Sequence, residues 1–181
     1  DPRIVRTKIL LQTALIELVQ YVPLQEIKIS HLTEQATISR VTFYQYYRNV
    51  PHIMEELIKE SLQHVKDILL CLNGQADIKI IEKLLEHIEQ QAKFYRYLLV
   101  YQQSFRVQFM QIIVQHLEEI GRENSFALQL GIKKDVLIWR DAAAFVGTIE
   151  AWLASDCSYS TSFLAKQFFL LHDLEKQKQT S

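Results

Sequence analysis

Apolar residues in this chain recur at helical spacing, and the gaps between apolar runs carry helix stop and start signals. That punctuation restricts the fold more than any other feature. Leu11, Ala14, Leu15 and Leu18 stand at i, i+3, i+4 and i+7, one stripe of a helix predicted from about Ile4 to Tyr21. Val22-Pro23 ends it. Ile29, Leu32 and Ala36 share a face of a second, short helix, and Thr37-Ile38 makes a turn. Ser39 is placed to cap a third helix, Arg40 to about Tyr47, by accepting a hydrogen bond from one of its free first-turn N–H groups. Asn49 followed by Pro51 is a second start signal, for a long fourth helix reaching about Leu72. The remainder has few breaks, with 4 glycines and 3 prolines in 181 residues, and no β-branched runs bounded by turns. The expected fold class is all-α, with an N-terminal three-helix domain over residues 1–50 and a helical bundle over 51–181.

Charge and motif content remove several function classes. Net charge is −1, so charge alone does not point to nucleic acid, although residues 1–50 hold six basic and four acidic side chains, a bias of +2. No apolar stretch approaches the roughly 20 residues that span a bilayer, and no signal-peptide layout opens the chain, so a cytoplasmic protein is expected. Cys71 and Cys157 are far apart and in no metal-ligand spacing; both read as reduced, packed side chains. No G-x-S-x-G, H-E-x-x-H or P-loop pattern occurs, and no two of the six histidines stand at i, i+4. The expectation is a protein without catalytic residues, cofactor or metal.

Three helices with a short turn between the second and third are the outline of a helix-turn-helix. On the third helix, Phe43 and Tyr47 are four apart and point inward. Arg40, Val41, Thr42, Tyr44, Gln45 and Tyr46 are left on the remaining surface, where so many exposed aromatics are costly without a partner. Double-stranded DNA is one such partner, since tyrosine hydroxyls and Thr42 can bond phosphate oxygens and Arg40 can reach guanine edges or phosphate. Packing of the tyrosines on neighbouring helices is the other reading that periodicity leaves open.

The residues from Arg6 to Glu56, RTKILLQTALIELVQYVPLQEIKISHLTEQATISRVTFYQYYRN above all, resemble the DNA-binding domain of the TetR family, whose T-[FL]-Y core stands here as Thr42-Phe43-Tyr44. The spacing from Arg3 to Pro23 and the Pro23-Leu24 link are similar to the Gram-positive branch of that family. The resemblance implies that Arg40, Val41 and Tyr44 face base edges, that Ser39, Thr42, Gln45 and Tyr46 touch the DNA backbone, and that Lys28 and Ser30 reach flanking phosphates at the positive end of the second helix. Three positions depart from the family pattern. Thr37 holds a turn position usually given to Gly or Asn, which predicts a turn of different shape because a β-branched residue is an outlier at positive φ. Val50 stands where a lysine commonly contacts phosphate, and Thr33 replaces a small alanine.

The C-terminal half resembles a C-terminal domain of some TetR-type regulators through FYRYLLVYQQSFRVQFMQIIVQHLEEI and, later, WRDAAAFVGTIEAWL. Tyr97, Tyr101, Phe105 and Phe109 stand at three- and four-residue spacings, read either as core or as the wall of a pocket for a small apolar effector. The last two helices, about Lys134 to Ala154 and Ser160 to Asp173, mix bulky and small residues. They are expected to form a two-fold, four-helix homodimer interface through Trp139, Ala143, Val146, Trp152, Phe163 and Phe168. The polar stretch from Gly121 to Lys133 is expected to be a mobile link, and the fourth helix to carry any effector response to the recognition helices. The function implied is a ligand-responsive repressor that binds a palindromic operator as a homodimer. The alternative, suggested by Val50 and the near-neutral charge, is a co-regulator on the same fold that acts through a protein partner.

Overall fold

The computed structural model describes residues 2–70, 78–120 and 131–177, with side chains to residue 171. Every element among them is helical. In chain order these are α1 (Pro2–Leu18), a 3-10 turn (Leu24–Glu26), α2 (Ile29–Gln35), α3 (Arg40–Tyr46), α4 (Val50–Leu70), α5 (Ile78–Gln90), α6 (Ala92–Tyr101), α7 (Gln103–Glu119), α8 (Lys134–Ala154) and α9 (Thr161–Gln177). The chain divides into two compact units, Asp1–Ser61 and Leu62–Ser181, and the division falls inside α4. Cys71, the predicted end of the fourth helix near Leu72, and most of the Gly121-to-Lys133 link lie outside the described residues.

In the first unit α1 packs on α2 and α2 on α3. The predicted stripe of α1 supplies Leu11, Ala14 and Leu15 to the core, while Val19 rather than Leu18 completes it. From the other helices come Leu32, Ala36, Phe43, Tyr47, Val50, Ile53, Met54 and Leu57. Thr33 is buried, and its hydroxyl donates back to the Ile29 carbonyl at 2.8 Å, so the extra polar atom is satisfied inside its own helix.

The turn between α2 and α3 corrects the expectation for Thr37. Instead of a different shape, it takes the left-handed one, with Thr37 at φ 56°. The Ile38 N–H donates to the Thr33 carbonyl (2.9 Å) and the Thr37 N–H to the Glu34 carbonyl (3.1 Å), the paired bonds of a Schellman ending. Two otherwise orphaned carbonyls are closed in this way, and their closure offsets the strain of a β-branched side chain in the left-handed region.

In the second unit α6, α7 and α8 pack on one another, α5 meets α6, and α9 lies along α5. Its core combines the fully buried aromatic rings of Phe94, Tyr95, Phe105 and Phe109 with the aliphatic side chains of Leu84, Leu85, Ile88, Leu98, Ile149 and Leu153. α8 ends on a second left-handed turn, Asp156 and Cys157 at φ 53° and 54°, closed by a Cys157 N–H to Trp152 carbonyl bond of 3.0 Å.

Left-handed backbone costs a non-glycine residue about 1–3 kcal/mol, against about 0.5–1 kcal/mol of extra unfolded-state entropy for glycine. Thr37→Gly is therefore expected to raise the stability of the first unit by about 1 kcal/mol, read as a higher urea midpoint at unchanged m-value. An unchanged or lower midpoint contradicts that account of the turn.

Candidate nucleic-acid interface

α3 is seven residues long, too short to persist alone, and it is held at both ends. At the start, the Ser39 side chain accepts the Thr42 N–H at 3.1 Å, the predicted cap, and the two hydroxyls bond at 2.9 Å. At the end, Phe43 and Tyr47 are buried with their rings 6.1 Å apart, and Tyr44 lies edge-on to Phe43 at 5.3 Å. The helix therefore turns its other face outward. Arg40, Val41, Tyr44 and Gln45 are exposed, Val41 by 74% and Tyr44 by 61%, while Thr42 and Tyr46 are half-exposed at the flanks. Ser39 is exposed beside them, Lys28 is exposed as the N-cap of α2, and Ser30 is half-exposed in its first turn. The nine residues expected at a DNA interface thus all reach the surface of the first unit.

The frame behind that face is electrostatic as well as apolar. Lys8 of α1 pairs with Glu56 of α4 at 3.1 Å and sits 5.4 Å from the centre of the Tyr47 ring. The Tyr47 hydroxyl is buried with no hydrogen bond of good geometry, and burial first, then the Glu56 carboxylate, push its pKa far above the ordinary tyrosine value. It stays protonated throughout the physiological range.

The turn into α4 is doubly fixed. The Asn49 side chain accepts the His52 N–H at 2.9 Å, and the His52 ring accepts the Arg48 N–H at 3.4 Å. Val50, beside this turn, is buried in the core.

The four residues expected to line a pocket separate into two ring pairs. Phe105 and Phe109 are stacked at 5.7 Å inside the core. Tyr97 is also buried, its hydroxyl accepting from the Gln102 amide at 3.1 Å, while its neighbour Tyr101 is 72% exposed. Of the residues expected at a dimer interface, Trp139, Ala143 and Phe163 are exposed and Phe168 is half-buried against Phe145 at 4.6 Å. Val146 and Trp152 are enclosed by their own subunit, Trp152 donating its indole N–H to the Tyr159 carbonyl at 2.9 Å, so they offer no surface to a second copy.

Sequence reasoning missed a polar chain in the second unit. The fully buried Tyr95 hydroxyl and His87 Nε2 are joined at 2.9 Å, and the His87 ring meets His64 of α4 edge-on at 5.5 Å. Three helices contribute one residue each, so no spacing along the chain announces it. Cys157 is half-buried, and burial and the Glu89 carboxylate push its thiol up, which keeps it protonated and a poor nucleophile. Among the described residues no group of three metal-ligating side chains converges, and no helix is long and apolar enough to cross a membrane.

Comparison with known proteins agrees with this architecture. A family described as the transcriptional regulator C-terminal region, of TetR type, matches residues 78–173. Among solved structures, a TetR transcriptional regulator from Streptococcus agalactiae 2603V is similar at TM-score 0.67 and 20% identity over 95% of this chain and 96% of its own. The dihydroxyacetone kinase operon activator DhaS is similar at TM-score 0.65 and 18% identity, over 93% and 95% of the two chains. The fatty acid degradation regulator FadR from Bacillus halodurans gives TM-score 0.62 and 16% identity, over 93% and 94%. No curated protein matches the sequence. The chain belongs to the TetR family of transcriptional regulators, with an N-terminal helix-turn-helix followed by a helical C-terminal domain.

Burial, and then His64, hold the His87 pKa below its ordinary value near 6.5, and burial does the same to His116. The unfolded chain therefore takes up these protons before the folded one. Stability is full above about pH 6.5 and is lost as the pH falls from there toward the folded-state pKa values. Urea midpoints are expected to drop between about pH 7.5 and about pH 5.5, and His87→Gln to flatten part of that drop. An equal drop in the variant removes His87 from the account.

Proposed function

We propose that this regulator binds a palindromic DNA operator as a homodimer, reading bases with α3. The observation that carries the reading is the outward face of α3, where Arg40, Val41 and Tyr44 stand exposed on a helix fixed by Ser39 at one end and by Phe43 and Tyr47 at the other. These three suit base edges, and Lys28, Ser30, Ser39, Thr42, Gln45 and Tyr46 suit the phosphate backbone around them. In this reading residues 1–50 are the DNA-binding domain and residues 51–181 the regulatory and dimerisation domain. A small apolar effector acting on the latter makes it a ligand-responsive repressor where the operator overlaps a promoter.

The outer face of α8 supports the second copy. Trp139, Ala143, Gly147 and Ala151 stand four apart and are all exposed. A side chain added at Gly147 meets nothing within 4 Å, so no contact inside the subunit offsets the cost of about 1 kcal/mol that glycine brings to a helix interior. Close approach of another helix does offset it. A two-fold dimer also suits a palindromic operator, whose two half-sites lie about 34 Å apart on successive major grooves.

Fluorescence anisotropy against DNA from upstream of its own gene, over a salt series, tests DNA reading. Tight binding that weakens steeply with salt and falls at least tenfold in Tyr44→Ala is expected. Equal, weak binding by both proteins on every fragment points instead to a co-regulator working through a protein partner. Light scattering tests the assembly: the mass is expected at twice that of the chain, and Gly147→Arg to halve it with helicity retained. A monomeric wild-type protein sinks the dimer.

A further inference from the structure

The near-neutral charge and the burial of Val50 leave the proposed interface short of cations, which raises the question of what grips the phosphates beside α3. Lys8 is engaged with Glu56. In the segment from α2 to the start of α4, Lys28, Arg40 and Arg48 are exposed and form no ion pair among the described residues. Two of these bracket the recognition helix, Arg40 as its first residue and Arg48 two residues past its last. We propose that Arg48 is a phosphate anchor of the DNA interface, supplying the grip that Val50 does not. The assignment rests on the DNA-binding reading above and deepens it.

Geometry supports it in two ways. A helix of this length rises about 10 Å, close to the major groove's width of about 12 Å, so with Arg40 at the base edges a cation just past the other end of α3 comes within reach of the phosphates that wall the groove. The Arg48 backbone is also held before any DNA arrives. Its N–H is taken by the His52 ring, the His52 N–H is taken by Asn49, and the buried Tyr47 ring precedes it, lying edge-on to His52 at 5.6 Å. A fixed backbone leaves only the side chain to be ordered on binding, and the planar fork of the guanidinium matches two phosphate oxygens at once.

A phosphate contact carries no sequence information, so a duplex of arbitrary sequence serves as the probe alongside the upstream fragment. With the full-length protein and anisotropy at rising salt, Arg48→Ala is expected to bind both duplexes roughly tenfold more weakly at low salt and to flatten the log–log salt slope by about one unit. Arg48→Lys should keep most of the slope, and Lys59→Ala, exposed on α4, should match the wild type. The Arg48 side chain is exposed, so unchanged thermal unfolding is the control for folding. If Arg48→Ala matches the wild type in slope and affinity while Tyr44→Ala has lost the upstream fragment, the anchor is refuted and DNA reading stands. If the wild type itself binds neither duplex at low salt, DNA reading fails and the anchor falls with it.

Discussion

A seven-residue helix has no independent stability in water, because the entropy of nucleating it exceeds what so few backbone hydrogen bonds return. Everything about the first unit follows from that limit. α3 exists because Phe43 and Tyr47 are buried and because Ser39 closes its first turn. Burying those two rings fixes which way the helix is rolled, and the roll decides which side chains are free for another molecule. The exposed face is thus the remainder of a packing decision, chemically varied because packing makes no demand on it.

The same frame tolerates unusual residues by satisfying them locally. Thr33 closes its hydroxyl on its own helix, and Thr37 accepts a left-handed backbone in exchange for two carbonyl bonds. The Tyr47 hydroxyl is the exception. It lies in the core without a good partner, next to Glu56, whose negative charge is shared with Lys8. A core with one unreturned polar atom still holds, since that loss of about 1–3 kcal/mol is small beside the apolar area buried around it.

What could be read from the chain alone follows the range of the physics. Caps act over three residues, so Ser39, Asn49 and the helix starts they mark were legible, as was the inward pair on α3. Periodicity gave the bounds of α8 but could not say which of its faces meets its own subunit. Trp152 and Val146 look like interface residues until α6 and α7 are seen to pack against that helix. Thr37 takes a backbone its own preference argues against, because the two hydrogen bonds that the turn gains depend on the chain's path and not on that residue alone. The Tyr95–His87–His64 chain was invisible, since its members lie on three helices and only the tertiary fold makes them neighbours. Tyr97, Tyr101, Phe105 and Phe109, expected from their spacing to line one wall, share that spacing but not an environment, which only the tertiary fold decides.

The chain's two tryptophans both belong to α8, yet their surroundings are opposite: Trp152 is buried with its indole N–H bonded to a carbonyl, and Trp139 is 57% exposed. An indole in the interior emits to the blue of one in water, so Trp139 emits to the red only while the outer face of α8 is uncovered. The molecule therefore carries two built-in optical reporters on one rigid rod, one sensing the integrity of the interior and the other sensing whatever comes to cover the outer face, with no label required.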